Sequence, residues 1–419
     1  MHTNKEYKLV GPFTQILTMD SIPEKGVIGD DALQLISNGG ILILRNTIVE
    51  VGIYREMKQT HPDATLEYIE GDHVAMPGLI DAHTHICFAG NRSGDFADRN
   101  AGKTYQEIAA SGGGIWSSVK HTRAASQDEL VGLMKPRLSR LLQNGVTTVE
   151  IKSGYGLSLI HELKMLRAIQ QVKEHTEVDI ISTCLAAHIV PRDFDGGVTA
   201  YLSMVINDMV PVIKEEKLTK RFDIFIEENA YDVNEAKDYL TQLKNLDFQL
   251  TVHGDQFSVG GSKVAVELGA VSVDHLEVSG AAEIDLIAKS DTVAVALPGA
   301  SIGIGCAFTP ARKLLDAGAC LAIASDWNPG SAPMGDLLTQ ASILASFEKL
   351  STAEVFAGIT YRAAKALKIH SVGKIASGYQ ADFISFPTKD YRDILYHQGM
   401  MKVDSVWKAG KITSSYFDT

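Results

Sequence analysis

Eight runs of strand-forming residues alternate with helical segments between residue 76 and about residue 372, and this alternation limits the possible folds. The runs are apolar or rich in β-branched residues, and they cover residues 76–86, 146–152, 179–188, 222–227, 248–253, 271–275, 293–298 and 320–326. Strands that alternate with helices form parallel sheets. Eight such units predict a closed (β/α)₈ barrel of the TIM type, with a doubly wound open sheet as the alternative.

Both ends of the chain carry a different, β-rich pattern. Residues 40–52 read as a hairpin around Arg45-Asn46, residues 373–386 as a turn and a strand, and residues 403–413 as two strands around Ala409-Gly410. Neither end is long enough to bury a core alone. We therefore predict that residues 1–75 and 373–419 form one composite β-sandwich domain beside a barrel domain of residues 76–372.

Composition excludes several classes of partner. The 419 residues are 45% hydrophobic, and 51 acidic residues against 39 basic ones give a net charge of -12. No long basic run suits a nucleic acid, and no stretch of 18 apolar residues suits a membrane. The N-terminal residues lack the pattern of a secretion signal. We expect a cytoplasmic protein with a small-molecule substrate and neither a nucleic acid nor a membrane as partner.

The first predicted barrel strand ends in two histidines, within the sequence Pro-Gly-Leu-Ile-Asp-Ala-His-Thr-His that begins at Pro77. Side chains of a strand alternate between its two sides, so His83 and His85 point the same way. Two imidazoles in that arrangement can bind one metal ion. The preceding apolar strand and the neighbouring Asp81 favour this interpretation over that of two surface histidines.

Further polar residues stand at the ends of the other predicted strands, and these ends form the catalytic face of a barrel. They are Lys152, His188, Glu227, His253, His275 and Asp326. Three imidazoles and one carboxylate, from His83, His85, His253 and Asp326, suit Zn²⁺ or iron, whereas Ca²⁺ and Mg²⁺ prefer oxygen ligands. His275 is placed to polarise a water or a substrate oxygen.

The motif from Pro77 to His85, the strand-end histidines and Ser325-Asp326 resemble the amidohydrolase superfamily. Glu227 follows strand four, where the binuclear members carry a carboxylated lysine, so the resemblance implies one divalent metal ion per chain, Zn²⁺ or Fe²⁺/Fe³⁺. Within the superfamily the chain resembles the imidazolonepropionase family of histidine degradation. The stretches that carry this resemblance are residues 88–92, 107–115, 150–156, 187–188 and 325–331.

The resemblance implies hydrolysis of the ring amide of 4-imidazolone-5-propanoate to N-formimidoyl-L-glutamate, and a homodimer. Arg92 follows the first strand, where its guanidinium can bind the propionate with two parallel hydrogen bonds. Tyr155 and His188 offer hydrogen-bonding groups to the ring or the carboxylate. Further family positions that line the substrate pocket are Asn328, Gly330 and Ser331, although Gly330 can also serve the turn after Pro329.

One residue departs from the pattern of many family members, which have Glu three residues after the histidine of strand five. Here Gln256 holds that place, and an amide cannot carry a proton at neutral pH. We therefore predict that Gln256 contacts the substrate ring and that His275 and Asp326 handle protons. The side chain of Asp255 should lie on the opposite side of the strand.

Two other functions compete with this interpretation. Another hydrolase or deaminase of cyclic amides or amidines would share the barrel and the metal, but Gln256 disfavours a deaminase. Arg92 with Tyr155 favours a substrate that carries a carboxylate. A catalytically inactive scaffold would be expected to have lost ligands, whereas all four ligand candidates and His275 are present.

Overall fold

The structure, a computed structural model, describes residues 7–228 and 230–415. Within these residues the chain has sixteen strands: β1 (Tyr7–Leu17), β2 (Leu35–Leu44), β3 (Thr47–Ile53), β4 (Thr65–Tyr68), β5 (Val74–Pro77), β6 (Leu79–Asp81), β7 (Val146–Lys152), β8 (Asp179–Ala187), β9 (Arg221–Ile224), β10 (Gln249–Gly254), β11 (Ser272–His275), β12 (Val293–Ala296), β13 (Leu321–Ile323), β14 (Phe383–Phe386), β15 (Ser405–Lys408) and β16 (Lys411–Ser415).

The α-helices of the same part of the chain are α1 (Tyr54–Thr60), α2 (Ser93–Asn100), α3 (Tyr105–Ala110), α4 (Ile115–Ala124), α5 (Gln127–Gln143), α6 (Leu159–Val172), α7 (Gly197–Met204), α8 (Val210–Glu216), α9 (Val233–Asn245), α10 (Gly261–Leu268), α11 (Ala281–Ala288), α12 (Pro298–Ile304), α13 (Ala311–Asp316), α14 (Leu337–Glu348), α15 (Thr352–Gly358), α16 (Tyr361–Ala366) and α17 (Arg392–Tyr396). Among these helices, none has the length and apolar character that a membrane-spanning segment needs.

Strands β6 to β13 form a parallel barrel in which each strand pairs with the next along the chain. Backbone hydrogen bonds between the segments that follow β6 and β13 close the barrel. Asp326 N donates to His83 O (3.0 Å), and His85 N donates to Trp327 O (2.9 Å). Every one of the eight predicted runs contributes a strand. The predicted barrel is therefore confirmed, and the open-sheet alternative is wrong.

A second sheet unites the two ends of the chain. Strand β5 pairs in parallel with β1 on one side and antiparallel with β14 on the other, so N-terminal and C-terminal strands share one sheet. Its core includes Phe13, Phe383 and Trp407, with the last two rings stacked 4.6 Å apart. The predicted pairing of the two termini is confirmed, and so are the hairpins around Arg45-Asn46 and Ala409-Gly410.

The stretch predicted as one strand from residue 76 to residue 86 is divided between the two sheets. Residues up to Pro77 belong to β5, and β6 begins at Leu79 in the barrel. Between them a Cβ on Gly78 would lie 2.4 Å from Thr147 Oγ1, so only glycine fits where the chain crosses from one sheet to the other. His83 and His85 lie just beyond β6, at the carboxyl end of the barrel.

Candidate active site

Three histidines converge at the carboxyl end of the barrel with the spacing of metal ligands. His83 Nε2 and His85 Nε2 are 3.2 Å apart, and His253 Nε2 lies 3.3 Å from His85 Nε2. Two nitrogens that each bind one ion at about 2.0–2.1 Å in tetrahedral geometry stand roughly 3.3 Å apart. The three nitrogens therefore fit around a single ion.

Asp326 brings a carboxylate to the same point. Its Oδ1 lies 3.5 Å from His83 Nε2 and 3.4 Å from His85 Nε2. The residue is buried and adopts a left-handed backbone conformation with φ of 52°. Because this conformation is unfavourable for most side chains, the surrounding loop must hold it in place. The four predicted ligands thus share one site.

The protonation of these donors suits a metal ion. Burial lowers the pKa of both His83 and His85 well below the usual value, so each ring is uncharged at neutral pH and has one nitrogen without a proton. In two of the ligand histidines a carboxylate faces Nδ1, the nitrogen that points away from the ion site. Asp274 Oδ2 is 2.6 Å from His83 Nδ1, and Asp223 Oδ2 is 2.9 Å from His253 Nδ1. For His83, the hydrogen-bonded carboxylate of Asp274 holds the proton at Nδ1 and leaves Nε2 free as a ligand.

Beneath the histidines lies a buried cluster of charges around Lys152. Its Nζ is 2.8 Å from Glu150 Oε1, 2.8 Å from Asp223 Oδ2 and 3.8 Å from Asp274 Oδ2. Burial alone would lower the pKa of Lys152, but the carboxylates raise it above its usual value, so the amine is charged. Thr183 Oγ1 donates to Glu150 Oε1 at 2.5 Å. Three carboxylates thus surround one ammonium group.

His275 stands beside the ligand cluster with one nitrogen occupied. Its Nδ1 is 3.2 Å from Glu277 Oε1, so the imidazole is oriented and Nε2 is the nitrogen left for chemistry. Burial opposes protonation of His275, but Glu277 and Asp326 outweigh it and raise the pKa above the usual value. A histidine held this way suits a general base.

A pocket of about 220 Å³ opens above these groups. Every predicted site residue except the deeper His83 lines it: His85, Arg92, Tyr155, His188, His253, Gln256, His275, Asp326, Asn328, Gly330 and Ser331. The structure therefore brings the whole predicted set to one place. The role of each residue stays a prediction.

A buried carboxylate shapes the loop that carries Tyr155. Glu162 of α6 accepts hydrogen bonds from the backbone N–H groups of Gly154, Gly156 and Leu157, at 2.7–3.1 Å. The loop therefore has a fixed course from β7 to α6. His188 Nδ1 lies 3.0 Å from Gly154 O, and burial lowers its pKa to about 3, so the ring is neutral and Nε2 can accept a hydrogen bond.

Arg92 enters the pocket with its guanidinium already oriented. Its Nε donates to Asp95 Oδ2 at 2.8 Å, and that oxygen also accepts from Gly114 N at 2.8 Å. A Cβ on Gly330 would lie 2.2 Å from Arg92 Nη1. Gly330 is therefore required for the close approach of this guanidinium; its φ lies outside the left-handed region, so the turn itself does not demand glycine.

Asn328 uses its amide to build the loop after Asp326. Its Nδ2 donates to Asp326 O (2.8 Å) and to Ser331 Oγ (2.9 Å), and its Oδ1 accepts from Gly330 N (2.7 Å). These bonds fix the strained backbone of Asp326. Asn328 thus supports the pocket as well as lining it.

Gln256 lies in a loop held by Glu227. The carboxylate of Glu227 accepts from Phe257 N at 2.8 Å and from Ser258 Oγ at 2.6 Å. The residue at the end of strand four therefore has a structural task. Asp255 points away from the pocket, as predicted, and accepts from Ser279 Oγ at 2.8 Å.

The sequence interpretation missed several residues that surround the site. Arg99 and the apolar Phe225, Phe257 and Ile304 line the pocket. Asp223 and Asp274 support the ligands, and a detectable signal existed: each is a carboxylate inside an apolar strand. Arg99 gave no such signal, because it lies in a polar helix.

Solved structures with a similar fold cover nearly the whole chain. The atrazine chlorohydrolase of Arthrobacter aurescens complexed with zinc has a TM-score of 0.70, is 16% identical and aligns over 97% of this chain and 95% of its own. A zinc-bound adenosine deaminase from Xanthomonas campestris has a TM-score of 0.69 and 17% identity over 96% of this chain and 92% of its own. At these identities the likeness concerns the fold alone.

Sequence relatives are much closer. The amidohydrolase family profile matches residues 233–413. The imidazolonepropionase of Deinococcus deserti is 39% identical over 382 residues, which cover 91% of this chain and 92% of the relative. The imidazolonepropionase of Herpetosiphon aurantiacus is 38% identical over 93% of this chain and 94% of its own length. The chain therefore belongs to the imidazolonepropionase family of amidohydrolases.

Proposed function

We propose that this chain hydrolyses the ring amide of 4-imidazolone-5-propanoate and releases N-formimidoyl-L-glutamate, with one divalent ion held by His83, His85, His253 and Asp326. The observation that carries the proposal is that this cluster of ligands borders the same pocket as the guanidinium of Arg92. The family named by the close relatives supports the same reaction.

The donor set suits Zn²⁺ and iron alike, because both accept imidazole and carboxylate ligands. When bound, such an ion lowers the pKa of a water to about 7 and polarises a carbonyl group. The remaining work falls to the side chains of the chain, which must bind the substrate, orient it and move protons.

Substrate binding begins with the carboxylate. Since Asp95 occupies Nε of Arg92, the two terminal nitrogens are left to donate to the propionate in parallel. Tyr155 and His188 line the same pocket and offer hydrogen bonds to the ring. Gln256 is placed to hold the ring through its amide, and the loop of Asn328, Gly330 and Ser331 closes the side next to Arg92.

Proton transfer then belongs to His275 and Asp326. Nε2 of His275 takes the proton from the attacking water, while Glu277 stabilises the imidazolium that results. Asp326 relays this proton from His275 to the ring nitrogen, which takes it up as the C–N bond breaks. Gln256 has no proton to give, so the chemistry does not pass through it.

The decisive assay incubates the purified, metal-loaded protein with imidazolonepropionate freshly generated by urocanase. Loss of the ultraviolet absorbance of the substrate, with formation of N-formimidoyl-glutamate, is the expected result. Parallel reactions with cytosine and guanine test the deaminase alternative. Ammonia release from either base, together with no turnover of imidazolonepropionate, would refute the proposal.

Further expectations from the sequence accompany this function as proposals. We propose that the active form is a homodimer in the cytoplasm, and that residues 1–75 with 373–419 act as one folding domain beside residues 76–372. We also propose that neither nucleic acid nor membrane is a partner, as the net charge of -12 indicates. Sedimentation velocity of the purified protein tests the dimer.

A further inference from the structure

We propose that Lys152 is a positioning residue of the metal centre: its ammonium group holds the two carboxylates that orient His83 and His253. The proposal rests on the metal site described above but not on the identity of the substrate. Lys152 lies on β7, whereas the two carboxylates lie on β9 and β11, so one side chain reaches across the barrel to both.

Two series of contacts start from the ammonium group of Lys152. One runs from Lys152 Nζ to Asp223 Oδ2 (2.8 Å) and on to His253 Nδ1 (2.9 Å). The other runs from Lys152 Nζ to Asp274 Oδ2 (3.8 Å) and on to His83 Nδ1 (2.6 Å). Within each series, one carboxylate oxygen contacts both the ammonium group and the imidazole. A shift of Lys152 would therefore move two ligands together.

Burying these charged groups costs them their hydration, so each of them needs a partner of opposite charge. Lys152 and Asp223 are fully buried, and Asp274 is 1% exposed. The ammonium group of Lys152 faces all three carboxylates, so removing it would leave buried acidic groups without the cation that they share.

Glu150 supplies a matched control within the same cluster. Its side chain contacts Lys152 at 2.8 Å and Thr183, and it is fully buried, but among the described residues its carboxylate makes no hydrogen bond or ion pair with a proposed metal ligand. Removing the charge of Glu150 disturbs the cluster but leaves both series of contacts from Lys152 to the histidines intact. A difference between variants at positions 150 and 152 therefore separates ligand positioning from general support of the fold.

The test measures binding of Co²⁺ to the full-length protein by competition with a chelator, alongside the visible spectrum of the bound ion. Removal of groups that orient metal ligands typically weakens binding 10–100-fold. We expect a loss of that size in Lys152→Met with an altered Co²⁺ spectrum. In Glu150→Gln we expect less than threefold weakening and an unaltered spectrum. Thermal unfolding in the presence of chelator monitors the fold of each variant.

Should Lys152→Met fail to fold, the double variant Lys152→Met/Glu150→Gln removes one charge of each sign and replaces it in the test. A 10–100-fold loss in the double variant supports the proposal. Wild-type affinity in either Lys152 variant, or equal losses in Lys152→Met and Glu150→Gln, would overturn it. A wild-type protein that binds no ion at all would instead refute the metal site of the proposed function.

Discussion

The guanidinium of Arg92 is oriented before any substrate arrives, because Asp95 holds its Nε and the backbone of Gly330 leaves room beside it. Such preorganisation lowers the entropy lost when a carboxylate binds. It also distinguishes Arg92 from an arginine on a solvated loop, whose side chain would have to be ordered by the substrate. Arg92 is therefore the residue at which substrate specificity is most directly tested.

Replacing Arg92 with Lys should keep the charge but lose the paired hydrogen bonds. A lost charge-assisted hydrogen bond costs about 1.5–3 kcal/mol, so kcat/KM should fall roughly ten- to hundredfold. Steady-state kinetics with imidazolonepropionate measure the effect. Arg55→Lys, on the exposed face of α1, is the control and should leave kcat/KM unchanged. Equal kcat/KM values for the two variants would mean that Arg92 does not bind the propionate.

His275 and Gln256 should respond differently to the same truncation. His275→Ala removes the proposed proton acceptor, so kcat should fall by several orders of magnitude while the metal stays bound. Gln256→Ala removes a ring contact and should mainly raise KM. Gln256→Glu should be tolerated, with a modest change in the pH profile. Abolished turnover in Gln256→Ala with substantial turnover in His275→Ala would reverse these roles.

At the scale of elements, the loop of residues 326–331 links the metal ligand to the substrate pocket. Asn328 ties its start to its end, and Gly330 sets the distance to Arg92. A methyl group at Gly330 would meet the far end of a flexible side chain, which can move without unfolding the loop. The cost should therefore appear in substrate binding and not in stability.

Gly330→Ala is accordingly expected to lower kcat/KM about as much as Arg92→Lys does, mainly by raising KM, with a melting temperature close to that of the wild type. Gly132→Ala is the control, since a Cβ there meets nothing within 4 Å on α5 and alanine favours the helix. Kinetics and thermal unfolding of both variants decide the question. A large loss of stability in Gly330→Ala with unchanged KM would mean that the glycine serves the fold.

The sequence was sufficient for the barrel and for the pairing of the termini, and it identified the four proposed ligands that the structure brings together, because each depends on local patterns. The period-two spacing of His83 and His85 holds even though both lie beyond β6. The cluster around Lys152 depends instead on which side chains meet across three strands. No local pattern specifies that Asp223 and Asp274 share one ammonium group, nor that Gly330 faces Arg92. Those contacts required the register of the barrel.

For the molecule as a whole, metal binding should depend on pH through the carboxylate ligand. Without metal, burial raises the pKa of Asp326 to about 6, whereas those of His83 and His85 are lowered well below neutrality. A proton on Asp326 competes with the ion. Metal affinity should therefore fall about tenfold per pH unit below 6 and level off above 7.

Metal competition at pH 5, 6, 7 and 8 measures this dependence. Asp326→Asn should bind the ion more weakly at every pH and lose most of the dependence on acidity, because no carboxylate remains to be protonated. Equal affinity of the wild type across the whole range would show that Asp326 is not the ligand that competes with protons.

We propose that one ion per chain, held by His83, His85, His253 and Asp326, supports hydrolysis of imidazolonepropionate. Titration of chelated, metal-free protein with Zn²⁺ or Fe²⁺, with turnover followed at each addition, tests it most directly. Activity should rise in proportion to metal and reach its maximum at one ion per chain, and His253→Ala should stay folded but neither bind metal tightly nor recover. A maximum at two ions per chain, or full activity after exhaustive chelation, would contradict it.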